Sequence, residues 1–440
     1  MSEQVFHHED INHKAINHKA ITSDGDEPED AQNTIFEFPK QPLSANVRQL
    51  LNELPVKWVR TDDELYELID EIDSVDRVAL DTEFIKRSTY YPILALVQVN
   101  TGKAIYLVDA PRLDLTDFWQ ALVEIPEMIW YACGEDLGIF YLLTKCEPLT
   151  NVFDVQIGVA YLTAQLQAGY SRAVSEVLGV DLPKTESQSD WLVRPLSQTQ
   201  ENYAVDDVRY LLALADVVKT ALEQNGTLTY AVEDSQSRAK QLHMVQNIAD
   251  EQLYLDSLVP FYTHEQVTVL QALTAWRESL ARSINQPKSF VIGKQAMREI
   301  VLDLPSTIKT LARTTINRGS LRMYGDEIIK VIKDARALPD SERPPMPKPA
   351  YTSGDKPFKN ELRAITRAKA DELGIPEMLL LKNRWLQALL LEVVHDCTGE
   401  FLPSEIDGYR KAWIVETVLP MLAEYKPHIQ EMIFQFTKQP

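Results

Sequence analysis

VALDTEFIKRSTYYPILALVQV, residues 78–99, is the stretch from which the fold is read. Val78, Ala79 and Leu80 form an apolar run with the character of a buried strand. Asp81 and Glu83 follow at its end, two residues apart. Strand side chains alternate, so both carboxylates face the same side. Two like charges side by side on a core strand are costly unless a cation neutralises them. Ile93 to Val99 can return as the antiparallel partner across a turn at Tyr90, Tyr91 and Pro92. A D-x-E pair alone is equally a strand end reaching water, so carboxylates elsewhere must decide.

Outward from this hairpin the pattern alternates strands with helices. VKWVR (56–60) reads as a strand, and Thr61 or Asp62 caps a helix with Leu65, Leu68, Ile69 and Ile72 at helical spacing. Thr101-Gly102 turns into a strand at 104–110, then come a helix around 116–124 and a strand at 128–132. Such mixing favours a layered α/β domain.

Three later segments carry acids. Glu135 and Asp136 open a helix directly after a strand, where the macrodipole favours acids and where either could reach a metal at the strand ends. Asp154 reads as a helix N-cap. In ENYAVDDVRYLL, Tyr203 and Asp207 are four apart on one helical face, whereas Asp206 is rotated about 100° toward water. Tyr203 and Asp207 could be no more than a hydrogen-bonded pair; together with Asp81, Glu83 and Asp136 they make a site.

The order D-x-E, helix-borne Asp, then Y-x-x-x-D resembles the DEDD exonuclease superfamily in its tyrosine-bearing branch. The segments ALDTEF, YYPILALVQV, GEDLGIF, FDVQI, KTESQSDWLVRPL and YAVDDVRYLL are similar, in the same order, to bacterial ribonuclease D. The resemblance runs from about residue 56 to the C-terminus. It implies a ribonuclease H-like mixed sheet flanked by helices, with Asp81, Glu83, Asp136 and Asp207 as metal ligands and Tyr203 orienting the attacking water. Tyr131, where histidine is familiar, and Cys133-Gly134, where Gly-Ser is familiar, depart from the pattern beside the site without replacing a ligand.

Four acids with no histidine or cysteine suit two hard ions, Mg²⁺ or Mn²⁺, better than zinc. The implied reaction is metal-dependent 3′–5′ exoribonuclease action that releases nucleoside 5′-monophosphates and trims tRNA precursor 3′ ends. The expected partner is RNA with a free 3′ end. A DNA exonuclease of the same fold is an alternative, because the motifs do not distinguish the sugars. An inert RNA-binding scaffold is a second, disfavoured by the intact five-residue set. Around the site, Phe84 reads as core packing by strand alternation, Lys86 and Arg87 as a basic turn, Arg194 as a loop residue reaching substrate, and Trp191 as a packing anchor.

After Gly226 only helical periodicity is left, and residues 264–340 resemble the HRDC module shared by RecQ-type helicases and ribonuclease D. The chain's net charge of −21 is unevenly spread: −6 over 1–40, −18 over 41–263, +4 over 264–340 and −1 over 341–440. The basic segment fits an auxiliary nucleic-acid platform, with Lys294, Arg298, Arg313, Arg318 and Arg322 as candidates. The expected plan is an acidic, disordered tail at 1–40 bearing a tandem INHKA repeat, an exonuclease domain at 41–263, a first HRDC domain at 264–340, a proline-rich linker at 341–358 and a second HRDC-like domain at 359–440. This is an α/β domain followed by two small all-α domains, whose removal (264–440) is expected to leave hydrolysis of short single strands largely intact but to weaken binding to structured RNA. Three widely spaced cysteines predict reduced, mostly buried thiols in a cytoplasmic protein. No apolar run is long enough to span a membrane, and the polar N-terminus does not read as a signal peptide.

Overall fold

The structure is a computed structural model that describes residues 36–183, 189–259, 261–346 and 356–437. The INHKA repeat, the KTESQ segment at 184–188 and the linker residues 347–355 lie outside the described residues.

After α1 (Ala45–Asn52) and β1 (Val56–Val59), Thr61 and Glu64 form a capping box at the start of α2 (Asp62–Asp73), whose Leu65, Leu68 and Ile72 are buried. The 78–99 stretch forms β2 (Arg77–Ile85) and β3 (Ile93–Asn100), paired antiparallel with Asp81 opposite Gln98 and Glu83 opposite Leu96. A register shift between Glu83 and Phe84 breaks the alternation there. Phe84 is therefore left half-exposed and outside the buried core, contrary to the packing role expected of it.

Next come β4 (Ile105–Val108), α3 (Thr116–Glu124), β5 (Glu127–Trp130), α4 (Gly134–Thr144), β6 (Val152–Asp154), α5 (Val155–Thr163), α6 (Tyr170–Leu178), α7 (Gln198–Arg209), α8 (Leu211–Gln224) and α9 (Leu228–Gln246). The sheet order is β1-β4-β3-β2-β5-β6, antiparallel at β2–β3 and β3–β4 and parallel elsewhere. β2 is thus central, and period-two alternation separates its faces. Val78 and Leu80 join Leu68 of α2 and Phe118 of α3 on one face. Ala79 and the acids look to the other, covered by α5, α7 and α8.

The helices α10 (His264–Ser283), α11 (Lys288–Val291), α12 (Lys294–Asp303), α13 (Ile308–Leu311) and α14 (Arg318–Arg336) bury a core of their own around Leu270, Leu273, Ile300 and Ile328. The last helical region, from α15 (Lys359–Leu373) onward, does not. Its Trp385, Leu389 and Leu422 belong to one continuous cluster with Val159, Leu162 and Val218 of the α/β layer. A buried polar knot crosses the same boundary. The Arg410 guanidinium forks onto Asp234 of α9 at 2.6 and 2.7 Å, and the Tyr161 hydroxyl donates to Asp234 at 2.8 Å. Cutting the chain at 264 would therefore strip apolar cover from the α/β layer, which argues against a removable C-terminal half.

Arg410 and Asp234 are 1% and 7% exposed. Removing one member of such a pair leaves the other charge buried and unpaired, at a cost of about 3–5 kcal/mol. Arg410→Ala should lower the urea midpoint accordingly, whereas Lys411→Ala, at the exposed ion pair with Asp407, should shift it little. Equal midpoints for Arg410→Ala and wild type would show that the knot does not hold the C-terminal region in place.

Cys133 is buried, Cys146 half-buried and Cys397 exposed, all as free thiols, so burial holds for only one of the three. Among the described residues no helix is long and apolar enough to cross a membrane.

Candidate active site

The site is assembled at the end of β2. Its register with β3 fixes Asp81 and Glu83 on the α7 side of the sheet. Ser197 and Gln200 cap α7 reciprocally, which sets the helix start and therefore the angular position of its inward face. That face delivers Tyr203 and Asp207. One carboxylate oxygen from each of Asp81, Glu83 and Asp207 lies within 4.8 Å of the others.

Asp136 stands beside this trio but outside it, in the first turn of α4. Its Oδ1 accepts the hydroxyl of Thr82, the residue between Asp81 and Glu83. The turn that leads there is sharp. Ala132 has φ +58°, unusual for a residue with a Cβ, and the Asp154 carboxylate braces it by accepting from the Ala132 and Cys133 amides at 2.9 and 3.1 Å. Asp154 also accepts from Gln156 N at 2.9 Å, the cap expected of it.

Burial is the first cause of the site's electrostatics. It opposes ionisation of Asp81, whose pKa is raised further by Asp207 and Asp136. Burial, then Asp81 and Asp136, push Glu83 up to about 9. Asp136 is raised to about 6, mainly by burial and against the Thr82 hydrogen bond, and Asp207 is raised by burial and then by Glu83. Carboxylates that oppose one another's charge in this way are a cation site in waiting. The donor set is oxygen only, which fits a hard divalent ion.

The Tyr203 hydroxyl faces the Asp207 carboxylate, and its pKa is driven up by burial and then by Asp207, Glu83 and Asp81. Its ring leans on Trp191, with centroids 6.0 Å apart. Trp191 is the packing anchor expected, buried against Leu196 and Ala204. Arg194, expected on a loop reaching substrate, is engaged within the fold. It is ion-paired with buried Asp109 at 2.8 Å and donates to the carbonyls of Ala95 (2.8 Å) and Trp191 (2.6 Å), pinning the loop that supports Tyr203. Asp206 is half-buried and paired with Arg209 at 3.3 Å instead of standing free in water.

A cavity of about 270 Å³ opens beside Asp81, Tyr203 and Asp207, and Tyr131, Gln156 and Tyr170 line its far side. The Tyr170 hydroxyl donates to Asp206 O at 3.1 Å, and its ring meets Tyr131 edge-on. A second cavity of about 440 Å³ shares Tyr170, Tyr203 and Asp207. Tyr170, Gln156 and Thr82 escaped the sequence reading. Only Thr82 had a local signal, its place between two acids; the others reach the site through the tertiary fold.

Of the basic candidates farther along, Lys294, Arg298, Arg313, Arg318 and Arg322 are all exposed on the α10–α14 region.

A 3′–5′ exonuclease family model matches residues 56–223, and an HRDC domain model matches residues 266–332. Ribonuclease D of Pseudomonas paraeruginosa is 33% identical over 378 residues, covering 83% of this chain and 97% of that protein. Ribonuclease D of Escherichia coli is 28% identical over 84% of this chain and 99% of its own. The crystal structure of the Escherichia coli protein, described as an exoribonuclease involved in structured RNA processing, aligns with a TM-score of 0.74 at 27% identity. That alignment covers 84% of this chain and 100% of the other.

Proposed function

Since this chain belongs to the ribonuclease D family of 3′–5′ exoribonucleases, we propose that it trims RNA 3′ ends, tRNA precursors among them, as nucleoside 5′-monophosphates. Asp81, Glu83, Asp136 and Asp207 would hold two divalent ions, Mg²⁺ or Mn²⁺. The observation that carries this reading is the convergence of three mutually repelling carboxylates within 4.8 Å on one sheet face. The proposed domain plan is the one read from the sequence, 41–263, 264–340 and 359–440, with the last leaning on the first.

When bound, such ions supply charge stabilisation for both the attacking and the leaving oxygen of a phosphodiester. The residues supply the rest. Asp81 and Asp207 line the cavity, and Glu83 brings a carboxylate oxygen within 4.8 Å of theirs, with desolvation already imposed by the fold. Asp136 is kept in one orientation by Thr82. The Tyr203 hydroxyl, oriented by its ring on Trp191, positions the attacking water; its raised pKa makes it a hydrogen-bonding group and not a base. Tyr131 and Tyr170 wall the cavity.

The family reading expects the 2′-OH to be read at the cleaved end. Matched RNA and DNA oligonucleotides with free 3′ ends, digested in Mg²⁺, should give faster release from RNA. Preferential release from DNA would replace this reading by a DNA exonuclease of the same fold.

A further inference from the structure

The end of α10 grips the turn between β2 and β3. The Asn285 carboxamide oxygen accepts from the backbone N–H groups of both Tyr90 and Tyr91, at 3.1 and 3.2 Å. The Tyr90 hydroxyl donates to the Glu278 carboxylate and accepts from Arg282 Nε at 3.1 Å. Arg282 is held in turn by a fork onto Asp250 at 2.7 and 2.9 Å, and buried Glu278 is paired with Lys288 at 3.3 Å. The Tyr90 ring packs against the HRDC core itself.

The β2–β3 ladder ends at Ile85 opposite Ile93. Asp81 and Glu83 lie inside that ladder and need no clamp. Residues 86–92, KRSTYYP, lie beyond it, contain no acid, and expose Lys86 and Arg87 three and four residues past Glu83. A polyanion approaching a site ringed by carboxylates meets repulsion at the centre, so cations beside the entrance carry its backbone. A seven-residue turn free to wander would have to be ordered each time RNA binds; one already held does not pay that entropy.

We propose that the HRDC helix α10 holds the β2–β3 turn as an RNA-guiding surface, with Asn285 as its positioning residue. This rests on the reading of Asp81, Glu83 and Asp207 as the reaction centre. The clamp is expected to act on RNA that reaches the turn, and least on a dinucleotide, which offers Lys86 and Arg87 the fewest phosphates.

Asn285 has φ +47°, so Asn285→Gly removes the acceptor without adding strain, and Asn285→Asp keeps an acceptor in place. In the full-length protein, three quantities are measured for both variants: amide exchange at Tyr90 and Tyr91, kcat/KM on a long single-stranded RNA, and kcat/KM on a dinucleotide. For Asn285→Gly the expectation is faster exchange at both amides, a roughly tenfold lower kcat/KM on the long RNA, and dinucleotide cleavage unchanged. Asn285→Asp should restore the long-RNA rate. Unchanged exchange, an unchanged long-RNA rate despite faster exchange, or an equal loss on the dinucleotide would each overturn the proposal. Asp81→Asn, assayed alongside, separates the two readings. Activity in that variant defeats the assigned reaction centre, whereas an inactive Asp81→Asn beside a fully active Asn285→Gly defeats the clamp alone.

Discussion

Asp81→Asn and Asp207→Asn should each lower the rate of RNA hydrolysis by about 10³-fold or more, while both proteins fold. On the proposed reading the loss is large because each substitution removes a charged oxygen from a set that would balance divalent ions where charge develops in the transition state. The fold survives because the amide has nearly the shape of the carboxylate and because the site's acids are mutually repulsive. Asp81 is raised by Asp207 and Asp136, and Asp207 by Glu83, so removing one charge relieves the others. The metal-free variants should therefore melt no lower than wild type. A folded variant that keeps substantial Mg²⁺-dependent turnover would remove its residue from the site.

Tyr203→Phe is expected to cost a factor of about 10² in kcat. The ring, its contact with Trp191 and all the carboxylates stay; only the hydroxyl goes. A group that acts chiefly in the transition state lowers kcat and kcat/KM together and leaves KM near its original value. If the hydroxyl served only to pair with Asp207, the variant would be nearly as active as wild type and slightly less stable. Both constants, measured at saturating Mg²⁺, separate these outcomes. A kcat within a few-fold of wild type would take Tyr203 out of the mechanism.

The α/β layer was legible because its signals are local. Period-two alternation put Asp81 and Glu83 on one face, the capping residues marked α2, and helical spacing paired Tyr203 with Asp207. Misreadings fell where a long-range contact overrides a local pattern. The register shift after Glu83 moved Phe84 out of the core. Arg194 looked free for substrate because Asp109, its partner, lies 85 residues away in sequence. Arg410 and Asp234 are 176 residues apart, and no local periodicity announces that the C-terminal helices share a core with the α/β layer. Tyr170 reaches the site only because α6 packs beside α8, and Asn285 reaches Tyr90 across 195 residues.

The central claim is that the carboxylates on β2, α4 and α7 hold divalent ions for stepwise hydrolysis from an RNA 3′ end. Its most direct test follows a 5′-labelled RNA through digestion in Mg²⁺, with and without excess EDTA, and identifies the released nucleotide. The account predicts a ladder that shortens one nucleotide at a time from the 3′ end, nucleoside 5′-monophosphates as the product, and complete arrest by EDTA. Undiminished cleavage in EDTA, or internal fragments in place of a ladder, would contradict it.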